Sequence, residues 1–443
     1  MKVVIMAGGR GTRIASLRDD VPKPMIPIAG KPILAWQIEN LKRCGLTDIT
    51  LVIGYLGSVV RSYFGDGSSF GVRIRYFEET EPLGTAGALF KMPELTEDFL
   101  LLCGDVILDV DFRRFIDFHR SHGAWASLMA HPNGHPYDSS LLVCETLPPA
   151  EEGGLPVETG RVVAWLGKEE PRTYYKNRVN AGIEILSPAL LEAARAQRVP
   201  RHPEAPDRID LDRDVLKPLI GSGRIFAYDT PEYIKDVGTP DRFRETEEDL
   251  RSGRVHARNL QEPQRAVFLD RDGTLNEFVG FLTRPEQLTL IPGAAEAVRA
   301  INRAGYLAIV VTNQPVIARG ECTFETLAAI HEKLETELGR KGAFLDGLYY
   351  CPHHPDRGFE GERAAYKKAC DCRKPEPGML LRAAADFHID LAHSVMIGDS
   401  DRDVETGEKA GCGRSLKVEK NREYALFELI QTVLGAESPE KNG

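Results

Sequence analysis

The sequence predicts an α/β protein of two domains. Strand-like and helix-like segments alternate through both halves, the pattern of layers packed around parallel sheets. At 443 residues the chain is long enough for two separate cores. A polar, aperiodic stretch over residues 251–264 interrupts the alternation and reads as a linker between a domain of residues 1–250 and one of residues 265–443.

In the first half, Val3 to Ala7, Ile49 to Ile53, Val72 to Tyr76 and Phe99 to Cys103 are short apolar runs that read as strands. The charged segment Asp241 to Leu250 reads as a helix. In the second half Arg265 to Leu269, Ala308 to Val311 and Ser394 to Ile397 read as strands, and Glu437 to Gly443 as a frayed tail. The tryptophans, Trp36, Trp125 and Trp165, are expected in cores rather than as binding platforms.

Hydrophobic residues make up 42% and charged residues 28%, ordinary for a globular protein. A formal net charge of -10 argues against a nucleic-acid partner, which would need a basic face. Phosphorylated small molecules remain open, because they need only local clusters of Arg, Lys and backbone N–H. The first apolar run is too short for a secretory or membrane segment, and no later stretch approaches a span, so no membrane partner is expected. Cys44, Cys103, Cys144 and Cys322 are scattered, which is thiol usage of the cytoplasm rather than a disulfide framework.

The first strand runs into Gly8-Gly9-Arg10-Gly11-Thr12-Arg13, where glycines let backbone N–H groups approach a phosphate closely. Val21-Pro22-Lys23-Pro24 then fixes a lysine between prolines, placed to neutralise charge on a reacting phosphate. Cys103-Gly104-Asp105 and Lys235-Asp236 each end a strand with a carboxylate, and two such groups are a usual hold for Mg²⁺. Together these residues resemble the sugar-1-phosphate nucleotidyltransferases over residues 1–245, with a Rossmann-like fold. The resemblance implies attack of a sugar 1-phosphate on the α-phosphate of a nucleoside triphosphate. Gly8, Gly9, Gly11, Thr12 and Arg13 would cradle the triphosphate, and Lys23 and Arg13 would act in catalysis. Pro82-Leu83-Gly84-Thr85-Ala86-Gly87 would meet the base through Gly84 and Thr85, and Asp105 and Asp236 would bind Mg²⁺. Asn180 would contact the sugar and Lys168 its phosphate, although Gly167-Lys168-Glu169 stands where the family often has Glu-Lys-Pro.

Val267-Phe268-Leu269 delivers Asp270-Arg271-Asp272-Gly273-Thr274 at a strand end. The turn lets one carboxylate attack phosphorus while the other handles the proton, which makes Asp270 the nucleophile and Asp272 the general acid. This resembles the haloacid-dehalogenase-type phosphatases over residues 265–418. That family's set would add Thr312 and Asn313 for the phosphoryl group, Lys374 as balancing cation, and Asp399 with Asp403 as acidic ligands for Mg²⁺ beside Asp270 and Asp272.

Cys351, His353, Cys370 and Cys372 offer three thiols and an imidazole, a tetrahedral zinc set with no open position, and therefore structural. Arg373 and Lys374 follow at once, as cations held at a fixed place. The loop resembles that of the heptose 1,7-bisphosphate phosphatases, where the first histidine is the ligand, and Arg373 would meet the remote phosphate. Pro315 and Val316 depart from the commoner Ser-Gly pair. The two resemblances imply a bifunctional enzyme. It would remove the 7-phosphate of D-glycero-D-manno-heptose 1,7-bisphosphate and then transfer a nucleotidyl group to the 1-phosphate, with GTP ahead of ATP. A histidinol-phosphate phosphatase joined to another sugar nucleotidyltransferase is one alternative, and a first domain that binds a nucleotide sugar without catalysis is another.

Overall fold

The computed structural model describes residues 1–9, 21–197, 199–358 and 360–435. Arg10, Gly11, Thr12 and Arg13 of the glycine-rich turn, and the tail from residue 436, lie outside the described residues.

The first half builds a nine-stranded sheet. In chain order the strands are β1 (Lys2–Met6), β2 (Pro27–Ile28), β3 (Lys31–Pro32), β4 (Asp48–Ile53), β5 (Arg73–Glu78), β6 (Phe99–Cys103), β7 (Val106–Asp109), β8 (Ala126–His131), β9 (Leu141–Leu147), β10 (Val157–Leu166), β11 (Val179–Leu186), β12 (Ile225–Asp229) and β13 (Tyr233–Asp236). The sheet runs β5-β4-β1-β6-β11-β8-β12-β10-β9, while β2 pairs with β3 and β7 with β13 outside it. Strands β5, β4, β1 and β6 are parallel, as the apolar runs predict. The rest is mixed: β11 is antiparallel to β6 and β8, and β9 to β10. The expectation of parallel sheets is corrected there. The turn between β9 and β10 is too short for a crossover, and a short connection forces antiparallel pairing.

The second half builds a parallel sheet of β14 (Ala266–Leu269), β15 (Leu307–Asn313), β16 (Gly347–Cys351), β17 (Val395–Gly398) and β18 (Arg414–Lys417), in the order β16-β15-β14-β17-β18. Val267, Phe268 and Leu269 of central β14 are fully buried because helices cover both faces. On the helix Ala294–Arg303 the buried residues Ala294, Ala297, Val298 and Ile301 recur at helical spacing and pack on one face of this sheet. Each half has cores on both faces of its own sheet. Trp165 is buried, and Trp36 and Trp125 pack half-buried against neighbouring cores. All eight cysteines are free thiols, Cys412 among them.

The stretch expected as a linker is packed. It carries a short helix, Arg254–Ala257, and Val255, Arg258, Asn259, Leu260 and Gln264 are buried. Arg258 donates to the Pro231 carbonyl from Nε at 3.0 Å and pairs with Asp346 of the second half at 2.5 Å. Asn259 donates to Asp109 at 2.6 Å. Polar side chains hold this segment, so hydrophobic periodicity gives no sign of it. Further along the same interface, Arg178 meets Glu335 at 3.3 Å, and the Asn177 and Tyr175 amides donate to Glu335 and Thr336.

Candidate active sites

Parallel strands open a crevice at their carboxyl ends, and the first site lies there. Gly8 and Gly9 follow β1, and Asp105 follows β6. Lys23 starts a single 3₁₀ turn, Lys23–Met25, framed by Pro22 and Pro24, and its ammonium meets Asp105 Oδ2 at 2.5 Å while nearly buried. Asp236 ends β13, whose pairing with β7 sets it beside Val106. The Val237 amide donates to the Asp105 carbonyl at 3.1 Å. A methyl group placed on Gly238 would lie 2.7 Å from Asp236 Oδ2 and 3.8 Å from Lys23 Nζ. Lys23, Asp105 and Asp236 therefore share one corner.

Two cavities meet at that corner. One, of about 630 Å³, is lined by Gly8, Gly9, Lys23, Glu79, Gly84, Thr85 and Asp105. The other, of about 1140 Å³, is lined by Asp105, Lys168, Asn180, Glu184, Asp212 and Asp236, and Arg299, Asn302 and Arg303 of the second half reach it. Gly84 is required by its surroundings: its φ is +78°, and a Cβ would stand 2.4 Å from the Ile209 carbonyl. Thr85 Oγ1 accepts from the Leu211 amide at 2.8 Å, which ties the loop down. Lys168 is exposed.

Four residues here were not singled out from the sequence. Arg242 grips Asp236 through both carboxylate oxygens at 2.9 Å and also reaches Asp138. Glu79 faces the first cavity with Oε1 buried and without a hydrogen-bond partner among the described residues. Burial holds its carboxyl above the ordinary range. Glu184 is buried on β11 and stands well above the ordinary carboxyl range, through burial and then the nearby Asp212. Burial and Asp210 push Asp212 itself up to about 6. Glu184 did have a signal, being a carboxylate inside the apolar strand Val179–Leu186.

The second site lies at the ends of β14, β15 and β17. Lys374 is 3% exposed and bridges Asp270 at 2.7 Å and Asp403 at 2.5 Å. Burial opposes the charge on Lys374, but Asp270 and Asp403 outweigh it and raise its pKa. Burial pushes Asp270 up to about 6, with Lys374 pulling the other way. Asp403 lies below the ordinary value: burial raises it, and Lys374 and Ser400 lower it further. Asp270, Asp399 and Asp403 bring carboxylate oxygens within 4.8 Å of one another, a set that suits a divalent cation.

The Asp272 carboxylate is not in that set. It turns to Arg271 at 2.8 Å, Asn276 at 3.0 Å and Gln314 at 2.8 Å. Thr312 is buried, and its Oγ1 accepts from Gln314. Asn313 exchanges hydrogen bonds with the Lys374 backbone at 3.0 and 3.1 Å, so it positions that lysine.

Cys351, His353, Cys370 and Cys372 converge. Their sulfurs lie 3.1 to 3.5 Å apart, and His353 Nδ1 is 3.5 and 3.7 Å from two of them. A tetrahedral zinc with bonds of about 2.3 Å has ligand edges of about 3.8 Å, close to this arrangement, so the donors fit the ion. His354 faces elsewhere, accepting from the Asp356 amide at 3.2 Å. Arg373 donates to the His353 carbonyl at 2.9 Å.

A nucleotidyl transferase family model matches residues 2–253, more than half of the chain. The chain belongs to that family. A HAD-hydrolase-like model matches residues 371–420. The D-glycero-beta-D-manno-heptose-1,7-bisphosphate 7-phosphatase of Vibrio cholerae is 42% identical over 153 residues, 34% of this chain and 80% of that protein. The second half therefore belongs with that phosphatase family. The rice protein named "Probable mannose-1-phosphate guanylyltransferase 1" is 32% identical over 246 residues, 54% of this chain and 62% of its own length. Among solved structures, HddC from Yersinia pseudotuberculosis complexed with GMP-PN is 25% identical, covering 56% of this chain and 99% of its own at a TM-score of 0.45. The chain is a bifunctional enzyme that joins a nucleotidyltransferase to a phosphatase. Among the described residues no helix is long and apolar enough to cross a membrane.

Proposed function

We propose that residues 265–443 remove the 7-phosphate of D-glycero-D-manno-heptose 1,7-bisphosphate. Residues 1–250 then transfer GMP from GTP to the surviving 1-phosphate, in the cytoplasm, giving GDP-heptose for a cell-surface polysaccharide. The observation that carries this reading is the co-occurrence of two built sites in one chain, the second matching a heptose bisphosphate phosphatase over most of that protein's length.

In the phosphatase site Lys374 keeps Asp270 ready as an anion, and an Asp270 oxygen attacks phosphorus. Asp272, turning from Arg271 toward Asp270, gives its proton to the leaving O7 and then takes one from the water that hydrolyses the aspartyl-phosphate. Thr312 and Arg373 hold the phosphoryl group and the remote phosphate. Asp270, Asp399 and Asp403 would hold Mg²⁺, which offsets charge on the phosphoryl oxygens. Cys351, His353, Cys370 and Cys372 would hold zinc, which would keep Arg373 and Lys374 in place.

In the transferase site Gly8 and Gly9 receive the triphosphate, while Gly11, Thr12 and Arg13 are assigned to it from the sequence. Lys23 stabilises charge on the α-phosphate, and Asp105 and Asp236 would hold Mg²⁺. Asn180 and Lys168 take the sugar and its phosphate. Guanine suits the smaller cavity because its N1–H and N2–H₂ are donors and the half-buried Glu79, a carboxylate acceptor, lines that cavity; adenine has an acceptor at N1. The rice relative's name supports the same base.

The test is to mix the protein with Mg²⁺, GTP and the heptose bisphosphate and follow products by mass. Phosphate followed by GDP-heptose supports the reading. Turnover of histidinol phosphate in place of the bisphosphate would replace it, and GTP binding without pyrophosphate release would make the first domain a binding module.

A further inference from the structure

The turn between β9 and β10, residues 148–156, reaches across to the second half. At its tip Glu151 and Glu152 are exposed, yet Gly153 between them and Gly154 is buried. Its carbonyl accepts from two side chains of the other domain, His353 Nε2 at 3.0 Å and Lys368 Nζ at 3.0 Å. Gly153 has φ +83°, and a Cβ there would stand 2.5 Å from the Ala365 carbonyl, so only glycine lets the backbone come this close. His353 is 6% exposed and stacks on Tyr366 at 5.9 Å, and its Nδ1 faces the thiols.

A metal-ligating imidazole has two distinct nitrogens, and the partner of the free N–H fixes which nitrogen meets the metal and how the ring lies. In this chain that partner is a backbone carbonyl of the nucleotidyltransferase domain. We propose that Gly153 is a positioning residue for the metal set. Its carbonyl holds His353 in the Nε2–H tautomer with Nδ1 free for zinc, so the metal loop of the phosphatase is completed across the domain interface. This rests on the reading of the four residues as a zinc set and goes beyond it. Docking of the β9–β10 turn then sets how firmly zinc is held, and through Arg373 and Lys374 it ties the order of the phosphatase site to the other domain.

The experiment uses the full-length chain loaded with zinc, and measures zinc transfer to a chromogenic chelator. In Gly153→Ala the added methyl displaces the carbonyl, and zinc affinity should weaken by about 10- to 100-fold, the usual effect of losing an outer partner of a ligating histidine. Lys368→Met removes the other donor to the same carbonyl, and zinc retention should stay at the wild-type level. If packing of the turn were all that mattered, both variants would lose zinc alike, and that result overturns the proposal. So does unchanged retention in Gly153→Ala. Should that variant fail to fold, ¹⁵N-histidine spectra of wild type decide. The proposal requires zinc on Nδ1 of His353 and a slowly exchanging Nε2–H; zinc on Nε2, or a freely exchanging Nε2–H, contradicts it. If the wild-type protein binds no zinc at these four residues, the zinc reading fails first, and that outcome is distinct from the others.

Discussion

Replacing Lys374 by methionine would remove the cation that bridges Asp270 and Asp403 and leave two buried carboxylates facing each other. Breaking a buried pair by deleting one partner costs about 3–5 kcal/mol. For a domain of this size each kcal/mol moves the melting point by about 2–4 °C, so the phosphatase transition should fall by about 6–20 °C near neutral pH. The loss should depend on pH with a definite sign. The folded-state pKa of Asp270 is already raised to about 6, above its ordinary value, so folding favours its protonated form. Stability from such a group is fully present below the unfolded pKa and is lost as pH rises through the folded one. Without Lys374 that pKa goes higher still, and the deficit of the variant against wild type should be largest above neutrality and shrink toward pH 5. Calorimetry of both proteins in magnesium-free buffer across this range is the assay, with phosphatase turnover expected to fall by about 10²- to 10³-fold. An equal deficit at all pH values, or no deficit, would refute the argument from buried charge.

Asp105→Asn should lower pyrophosphate release by at least about 100-fold while phosphate release continues, because the two sites share no residue; parallel loss of both would contradict this. Glu79→Gln should reduce preference for GTP over ATP by about 10- to 100-fold, read as the ratio of kcat/KM values; an unchanged ratio removes Glu79 from base selection. Glu335→Ala leaves the Asn177 amide and one Arg178 contact unmet and should cost about 1–3 kcal/mol, seen as a lower melting point by calorimetry. No change would mean that water takes over at this interface.

The parts legible in the sequence are those in which chemistry and backbone coincide locally. Asp270, Asp105 and the glycines after β1 sit at strand ends that apolar runs announce, and Cys351, His353, Cys370 and Cys372 bear metal donors at short spacing. What escaped depends on distant pairing. Arg242 matters because β13 brings Asp236 beside it, and nothing in its own helix marks it. The phosphatase resemblance puts Asp272 in the acidic set with Asp270, Asp399 and Asp403, but the buried Arg271 turns the Asp272 carboxylate aside, and the other three converge without it. The packed segment around Arg258 and the contact at Gly153 are polar and cross the domain boundary, so no periodicity reports them.

The central claim is that one chain performs two reactions in a fixed order. Asp270→Asn tests it most directly, using GTP, Mg²⁺ and either heptose 1,7-bisphosphate or heptose 1-phosphate, with products followed by ³¹P NMR. The account predicts no GDP-heptose from the bisphosphate and wild-type yield from the monophosphate. GDP-heptose 7-phosphate formed from the bisphosphate, or no nucleotide sugar from either substrate in the variant and in wild type, would contradict it.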